Sequence, residues 1–530
     1  RPNRPWDVFT RMPAAMGLAI ASKHHNWKFV SEPEPAMHNR RMAHPRGKLL
    51  GGSSCINAMN FQRGHPRDFD RWATETGHME WDYAHCLPYF KRLENALAHP
   101  ASEFRGHDGP QLLQRAAADH PLFDAFFTGA QQAGYSLTPD INGAEQEGFT
   151  AFDQMISRGR RQSASQAYLQ PVMSRRNLDV RCRTLVTKIV FSGTRATGVT
   201  YRAANGTEHE VRCGEVVLCG GAFHSPQLLQ LSGVGNADEL RALRISVVQD
   251  VPGVGEHLHD HLAVQVQHAC TKPISMIGMK NKLKWPVIGL QWLLRRGPAT
   301  SNLFEAGGFL RTTDEIDYPD MMVVFAPMAM VFDPDNVVPD HGYQMHVGTM
   351  GADSRGTVKI ASTDPTVHPR LRLNYLSTER DRRDWAAALR IARTIFEQPA
   401  FSDVDGGEVV PGPAIQTDAE LVDWVARTGQ TGLHPTSSCR MGSSETDVVD
   451  PASMRVHGLQ GLRVVDASVF PSVTNASTYA PVMMVAEKSA DVILGNTPLT
   501  PEYPSSEVPS QHGDSQHGDA NRTAVARPKP

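Results

Sequence analysis

The stretch that most restricts how this chain can fold is Pro45-Arg-Gly-Lys-Leu-Leu-Gly-Gly-Ser-Ser-Cys-Ile-Asn57, running on through Phe61 to Gly64-His65-Pro66. Gly47, Gly51 and Gly52 lack a Cβ and so permit tight turns and close backbone approach. Ser53 and Ser54 add donors, and Cys55–Met59 is expected to continue as a helix. Such an arrangement aims backbone N–H groups at an anion, with a helix N-terminus behind it. A bare Gly-Gly-Ser-Ser equally suits a serine-capped surface turn, so the motif alone leaves both readings open.

The rest of the chain narrows the class. Its 530 residues, 40% of them hydrophobic, provide for more than one core. A net charge of −3 offers no basic surplus for nucleic acid. Seven scattered cysteines without a C-x-x-C pair argue against a disulfide framework or a metal site and fit a reducing cytosol. The longest apolar runs fall short of the roughly 18–20 residues that span a bilayer, and no signal peptide is recognisable. A cytoplasmic protein is expected, peripheral to a membrane at most through the basic and apolar residues 280–296. Pro286 and Gly289 weaken that segment as one continuous helix.

Aromatic residues at helical spacing between Arg67 and Phe90 read as core. Strands are expected at Leu178–Cys182, Val186–Phe191, Thr197–Tyr201 and Glu208–Cys213, with Ser192-Gly193 and Asn205-Gly206 as hairpin turns. Glu215–Ala222 reads as a buried strand ending in glycines and leading into a helix started by Pro226. Glu379–Phe396 and Ala480–Leu494 read as helices. Gly461–Pro471 reads as an extended apolar strand that delivers Asp466 at its end, where α/β folds place ligand contacts. From residue 497 to 530 the chain is proline-, serine- and charge-rich, repeats Gln-His-Gly-Asp, and is expected to be a disordered tail.

The spacing of the first glycine stretch resembles the first signature of the glucose–methanol–choline (GMC) flavin oxidoreductases. Gly221 to Gly235, with His224-Ser-Pro and Ser-Gly-Val-Gly, resembles the second. The likeness extends over most of residues 6–498, and Arg161–Leu169, Gly253–His261 and Asn374–Ser377 read like the choline dehydrogenase subgroup. It implies an α/β fold of mixed α+β character: a discontinuous Rossmann-like FAD-binding domain (1–65, 160–262, 430–496) and a substrate-binding domain with an antiparallel sheet (66–159, 263–429). The implied reaction is oxidation of a small primary alcohol to an aldehyde, with hydride passing to flavin N5 and electrons to a quinone or another acceptor. An enzyme for an uncharged alcohol, an oxidase using O₂, and an inactive flavin-fold protein are the alternatives. The family's opening strand–G-x-G-x-x-G–helix unit, which binds the AMP half of FAD, finds no match here, so this chain alone is expected to hold FAD weakly.

The resemblance also implies residue roles. Gly47, Gly51, Gly52, Ser53, Asn57 and Ala58 would run along FAD, Asp466 and Ala467 would meet its ribityl chain and flavin, and Val186 its adenine end. Ile56 stands where some relatives carry a flavin-linking histidine, which implies non-covalent FAD. His434, within His-Pro-x-x-x-Cys-Arg-Met-Gly, takes the place of the family's active-site base; a neutral imidazole can accept an alcohol proton as hydride leaves. The second catalytic position falls on Ser477, with Asn475 two residues earlier as a substitute. The acidic residue facing choline's trimethylammonium falls on Ala263, and the tryptophan pair around that cation on Lys282-Leu283, leaving Glu305 as the candidate anion of a cation site.

Overall fold

The computed structural model describes residues 2–4, 6–330 and 340–505. Its largest element is an antiparallel sheet in the order Asp405–Val410, Leu262–Cys270, Gly342–Thr349, Met321–Ala326, Ala306–Leu310, Gly148–Ala151. The short strand Gln430–Thr431 pairs with the start of Leu262–Cys270, placing Gln430 opposite Ala263. Side chains alternate between faces along a strand, and this sheet uses both. Leu262, Val264 and Val266, Tyr343, Met345 and Val347, and Met321, Val323 and Phe325 point into a core with the helix Glu379–Phe396. Phe126 of the helix Pro121–Gln132 stacks on Phe325 at 4.6 Å between ring centres. The intervening residues face a cavity. Gln265, His346 and Val324 form one cross-strand row there.

The second body is built around Val216–Leu218, which pairs in parallel with Leu462–Val464. An antiparallel meander, Leu185–Ser192, Arg195–Arg202 and Glu208–Arg212, precedes it. Residues 178–182, expected as a strand, form none. Phe69, Trp72, Leu87 and Phe90, from the helices Pro66–Thr76 and Tyr83–Leu93, share a core with Leu218, Leu462 and Val464. Residues 66–93, grouped by sequence with the substrate side, therefore pack on this body.

The helix after Val216–Leu218 spans Gly221–Leu231, so it begins five residues before Pro226 rather than at it. Proline inside a helix lacks the N–H that would bond the carbonyl four residues back. That carbonyl, Ala222 O, instead accepts the Ser438 hydroxyl at 2.6 Å, which ties the second glycine motif to the His434 loop. Residues 280–296 do not form one continuous helix, but the break precedes both Pro286 and Gly289: tight turns at Met276–Lys280 and Lys282–Lys284 lead into a helix over Trp285–Leu293, which holds Pro286 in its first turn and runs through Gly289. Of the proline-rich tail, residues 497–505 run along Tyr83–Leu93, with Leu499 N donating to Tyr89 Oη and Glu502 paired with Lys91. Residues 506–530, with the Gln-His-Gly-Asp repeat, lie outside the described residues.

Candidate active site

A cavity of about 2100 Å³ lies between the two bodies. The first glycine motif forms one wall. Gly51 has φ +95°, in the left-handed region that favours glycine. Any Cβ on Gly47 would sit 2.1 Å from the Gly52 carbonyl oxygen, so the two arms of the loop pass at a distance only glycine allows. Gly47 N donates to Ser53 Oγ at 3.2 Å, and Ser54 Oγ accepts Ala164 N at 3.0 Å. The expected helix over Cys55–Met59 is absent: a single 3₁₀ turn spans Gly52–Cys55. Arg161, fully buried, donates to Ser54 O at 3.1 Å, a carbonyl a continuing helix would use, and to Asn57 O at 2.8 Å, and Met59 adopts φ +67°, outside the helical region.

Gly47, Gly51, Gly52, Ser53, Asn57, Ala58, Val186, Asp466 and Ala467 all line this cavity, together with His434, Ser477 and Ala263. Asp466 is already engaged: Oδ2 accepts Gly221 N at 2.8 Å and Ser225 Oγ at 2.6 Å, pinning the start of Gly221–Leu231. Ser477 Oγ donates to Gln62 at 2.8 Å. Two candidates lie elsewhere. Asn475 is buried between Gln146 and the Pro319 carbonyl and does not reach the cavity wall. Glu305 turns away from its cavity-lining neighbour Phe304 and accepts Ala118 N at 2.7 Å, so it is no anion for a substrate here. Lys282 and Leu283 point to solvent.

His434 stands on the loop after Gln430–Thr431. Its backbone N donates to Asp260 Oδ1 at 2.7 Å, and Asp260 also accepts Thr431 and Tyr375 hydroxyls at 2.5 and 2.6 Å. His434 Nδ1 meets His261 Nδ1 at 2.9 Å, the rings nearly perpendicular. Burial, then His261 and Arg46, hold the His434 pKa well below the ordinary 6.5, so the ring is neutral at neutral pH. Arg46 lines the cavity with Nε and Nη2 buried and without a hydrogen-bond partner, and burial lowers its pKa to about 10.

The GMC oxidoreductase N-terminal family model matches residues 15–263 and the C-terminal model residues 352–486. This chain is a GMC oxidoreductase. It is 53% identical over 507 residues to a protein named oxygen-dependent choline dehydrogenase from Staphylococcus saprophyticus, covering 95% of this chain and 90% of that one. The namesake from Staphylococcus xylosus is 52% identical over the same length. Among solved structures, pyridoxine 4-oxidase from Mesorbium loti superposes with a TM-score of 0.84 at 29% identity, covering 93% of each chain. A point variant of formate oxidase from Aspergillus oryzae gives 0.85 at 25% identity, covering 93% of this chain and 92% of that one.

The cavity of this GMC oxidoreductase suits FAD. Where a Cβ would project from Gly52 and Gly221 there is open space, and the unpartnered Arg46 nitrogens offer donors to an anionic group. Lys23, Lys48, Arg181, Arg183 and Arg202 line the same cavity, in which Asp466 is the one acid among the described lining residues. Sequence reasoning missed four wall residues: Arg46, His261, Gln265 and His346. Arg46 and His261 stand inside quoted motifs, where residue type did not reveal that their side chains turn inward. Gln265 and His346 sit in strands whose parity was not read.

Proposed function

We propose that this GMC oxidoreductase oxidises a primary alcohol to its aldehyde, with His434 taking the hydroxyl proton. The observation that carries the assignment is a neutral, half-buried imidazole at the cavity wall whose Nδ1 is engaged by His261, leaving Nε2 for the substrate. An alcohol proton leaves too reluctantly at neutral pH without a positioned base. Ser477, on the same cavity lining, donates its hydroxyl hydrogen to Gln62 and keeps its oxygen lone pairs as acceptors. Asp260 holds the loop through the His434 backbone N. Bound FAD supplies the two-electron acceptor for the carbinol hydride. Gly47 through Ala58 and Asp466-Ala467 line its space, and Ile56 has no nucleophile to bond it covalently. The names of the relatives favour an alcohol-oxidising enzyme over an inactive flavin-fold protein, and make choline the first alcohol to test.

The wall near His434 favours an uncharged substrate. Ala263, Gln265, Met322, Val324, Phe304 and His346 face it without a carboxylate, and burial lowers the His346 pKa to about 4, leaving that ring neutral. A quaternary ammonium wants aromatic faces and a nearby anion. Anaerobic flavin reduction by choline and by 3,3-dimethylbutan-1-ol, its uncharged isostere, makes the test. The neutral alcohol reduces the flavin at lower concentration, and Ala263→Glu shifts preference toward choline by about tenfold or more, the value of one charge-assisted contact. Wild-type preference for choline overturns the uncharged reading. Failure of both alcohols to bleach the flavin overturns the alcohol-oxidising assignment.

Residues 280–296 we assign to peripheral contact with an anionic membrane surface. Leu283 is 87% and Leu290 59% exposed, with Val287, Leu293 and Leu294 also open to solvent. Lys280, Lys282, Lys284, Arg295 and Arg296 surround them, with no acid between 280 and 296. No helix among the described residues is long and apolar enough to cross a membrane. Cosedimentation with phosphatidylglycerol vesicles, lost in Leu283→Glu/Leu290→Glu and weakened by salt, is expected. Absence of wild-type binding sinks the assignment.

A further inference from the structure

We propose that His261 is a positioning residue that holds the His434 proton on Nδ1 and so keeps the His434 Nε2 lone pair turned to the cavity. The inference rests on the reading of His434 as the base, and it specifies which of two tautomers makes that reading work. A 2.9 Å contact between Nδ1 atoms holds a single proton, so one ring donates and the other accepts. If His261 donates, a neutral His434 must carry its own hydrogen on Nε2 and has no lone pair for an alcohol. If His434 donates, its Nε2 is free to accept and the His261 hydrogen moves to Nε2.

The base reading requires the second arrangement. His261 is fully buried, its Nδ1 is held at His434, and its Nε2 has no hydrogen-bond partner among the described residues. A neutral His434 that accepts at Nε2 must carry its hydrogen on Nδ1, which leaves a lone pair on His261 Nδ1 and N–H on His261 Nε2. The backbone keeps the two rings in register: His261 immediately precedes the strand Leu262–Cys270, its carbonyl accepts Gly432 N at 2.6 Å, and neighbouring Asp260 accepts His434 N. When His434 takes a proton at Nε2, its Nδ1–H still donates to a neutral ring, so no carboxylate is needed behind the base. This is the role an aspartate plays in a Ser-His-Asp triad, filled here by an uncharged group.

The test uses the FAD-loaded enzyme with ¹⁵N-labelled histidine, the His434 signals being assigned by their loss in His434→Ala. A protonated-type shift at His434 Nδ1 and an unprotonated-type shift at Nε2 are expected; the reverse pair overturns the proposal. In rapid anaerobic reduction, His261→Asn keeps the rate within about threefold, because its carboxamide oxygen stands near the place of Nδ1 as acceptor. His261→Leu lowers it by roughly 10–100-fold with little change in KM. Equal rates in the leucine variant and wild type, or an equal fall in both variants, overturn the proposal. Full activity in His434→Ala overturns the base reading instead, and the nitrogen spectrum still decides the tautomer.

Discussion

Replacing His434 with alanine lowers the anaerobic reduction rate of the bound flavin by about 10²–10⁴-fold, the usual worth of a positioned general base. The ring is held neutral by burial and by the neighbouring His261 and Arg46, so it accepts a proton at pH 7 rather than already carrying one. The fold survives the change because the loop is tied through its backbone: His434 N to Asp260, and Thr436 paired with His259 in both directions. Stopped-flow absorbance of the flavin, with flavin content measured alongside, separates lost chemistry from lost cofactor. A variant within about threefold of wild type removes His434 from the reaction.

Acidification from pH 7.5 to 5.5 costs roughly 4 kcal/mol of folding stability from three buried histidines alone. His44, His259 and His261 are each at most 3% exposed. Burial is the first cause in every case, taking His44 to about 3, His261 to about 4 and His259 well below its ordinary value. For a histidine whose pKa is depressed by folding, the unfolded chain binds the proton and the native one does not. The stabilisation is therefore complete above the unfolded value near 6.5 and drains away as the pH falls below it. Each group loses about 1.4 kcal/mol per pH unit in that window. Against a total stability of about 5–15 kcal/mol, the denaturant midpoint moves far. Urea unfolding at the two pH values measures it, and equal midpoints dismiss the proposed burden.

Residues 280–296 illustrate what local chemistry makes legible. Pro286 marks a helix start rather than an interruption, because its missing N–H costs nothing in the first turn of Trp285–Leu293, whereas Gly289 leaves that helix unbroken. The helix Glu379–Phe396 is readable for a similar reason, because its charged and apolar residues separate onto two faces. The strand Met321–Ala326 defeats that approach. Its six residues are apolar throughout because one face meets the helical core and the other the cavity, so no alternation marks which side chains look inward. Glu305 follows the same parity: its neighbour Phe304 reaches the cavity, and the carboxylate turns the other way to Ala118.

The sequence by itself determined the glycine turns and the family, and it singled out His434 as the proposed base, because each depends on residue type at a short, fixed spacing. Tertiary structure decided the rest of the site. Arg161, about 105 residues away, occupies the Ser54 carbonyl that the expected helix would have used and ties Asn57 O as well. His261 reaches His434 across 173 residues of chain. Ser477 reaches the cavity and Asn475 does not, although only one residue separates them. The physical reason is common to all three: a side chain's partner is set by which backbones are brought together, and the residues that meet in the cavity are distant in the chain.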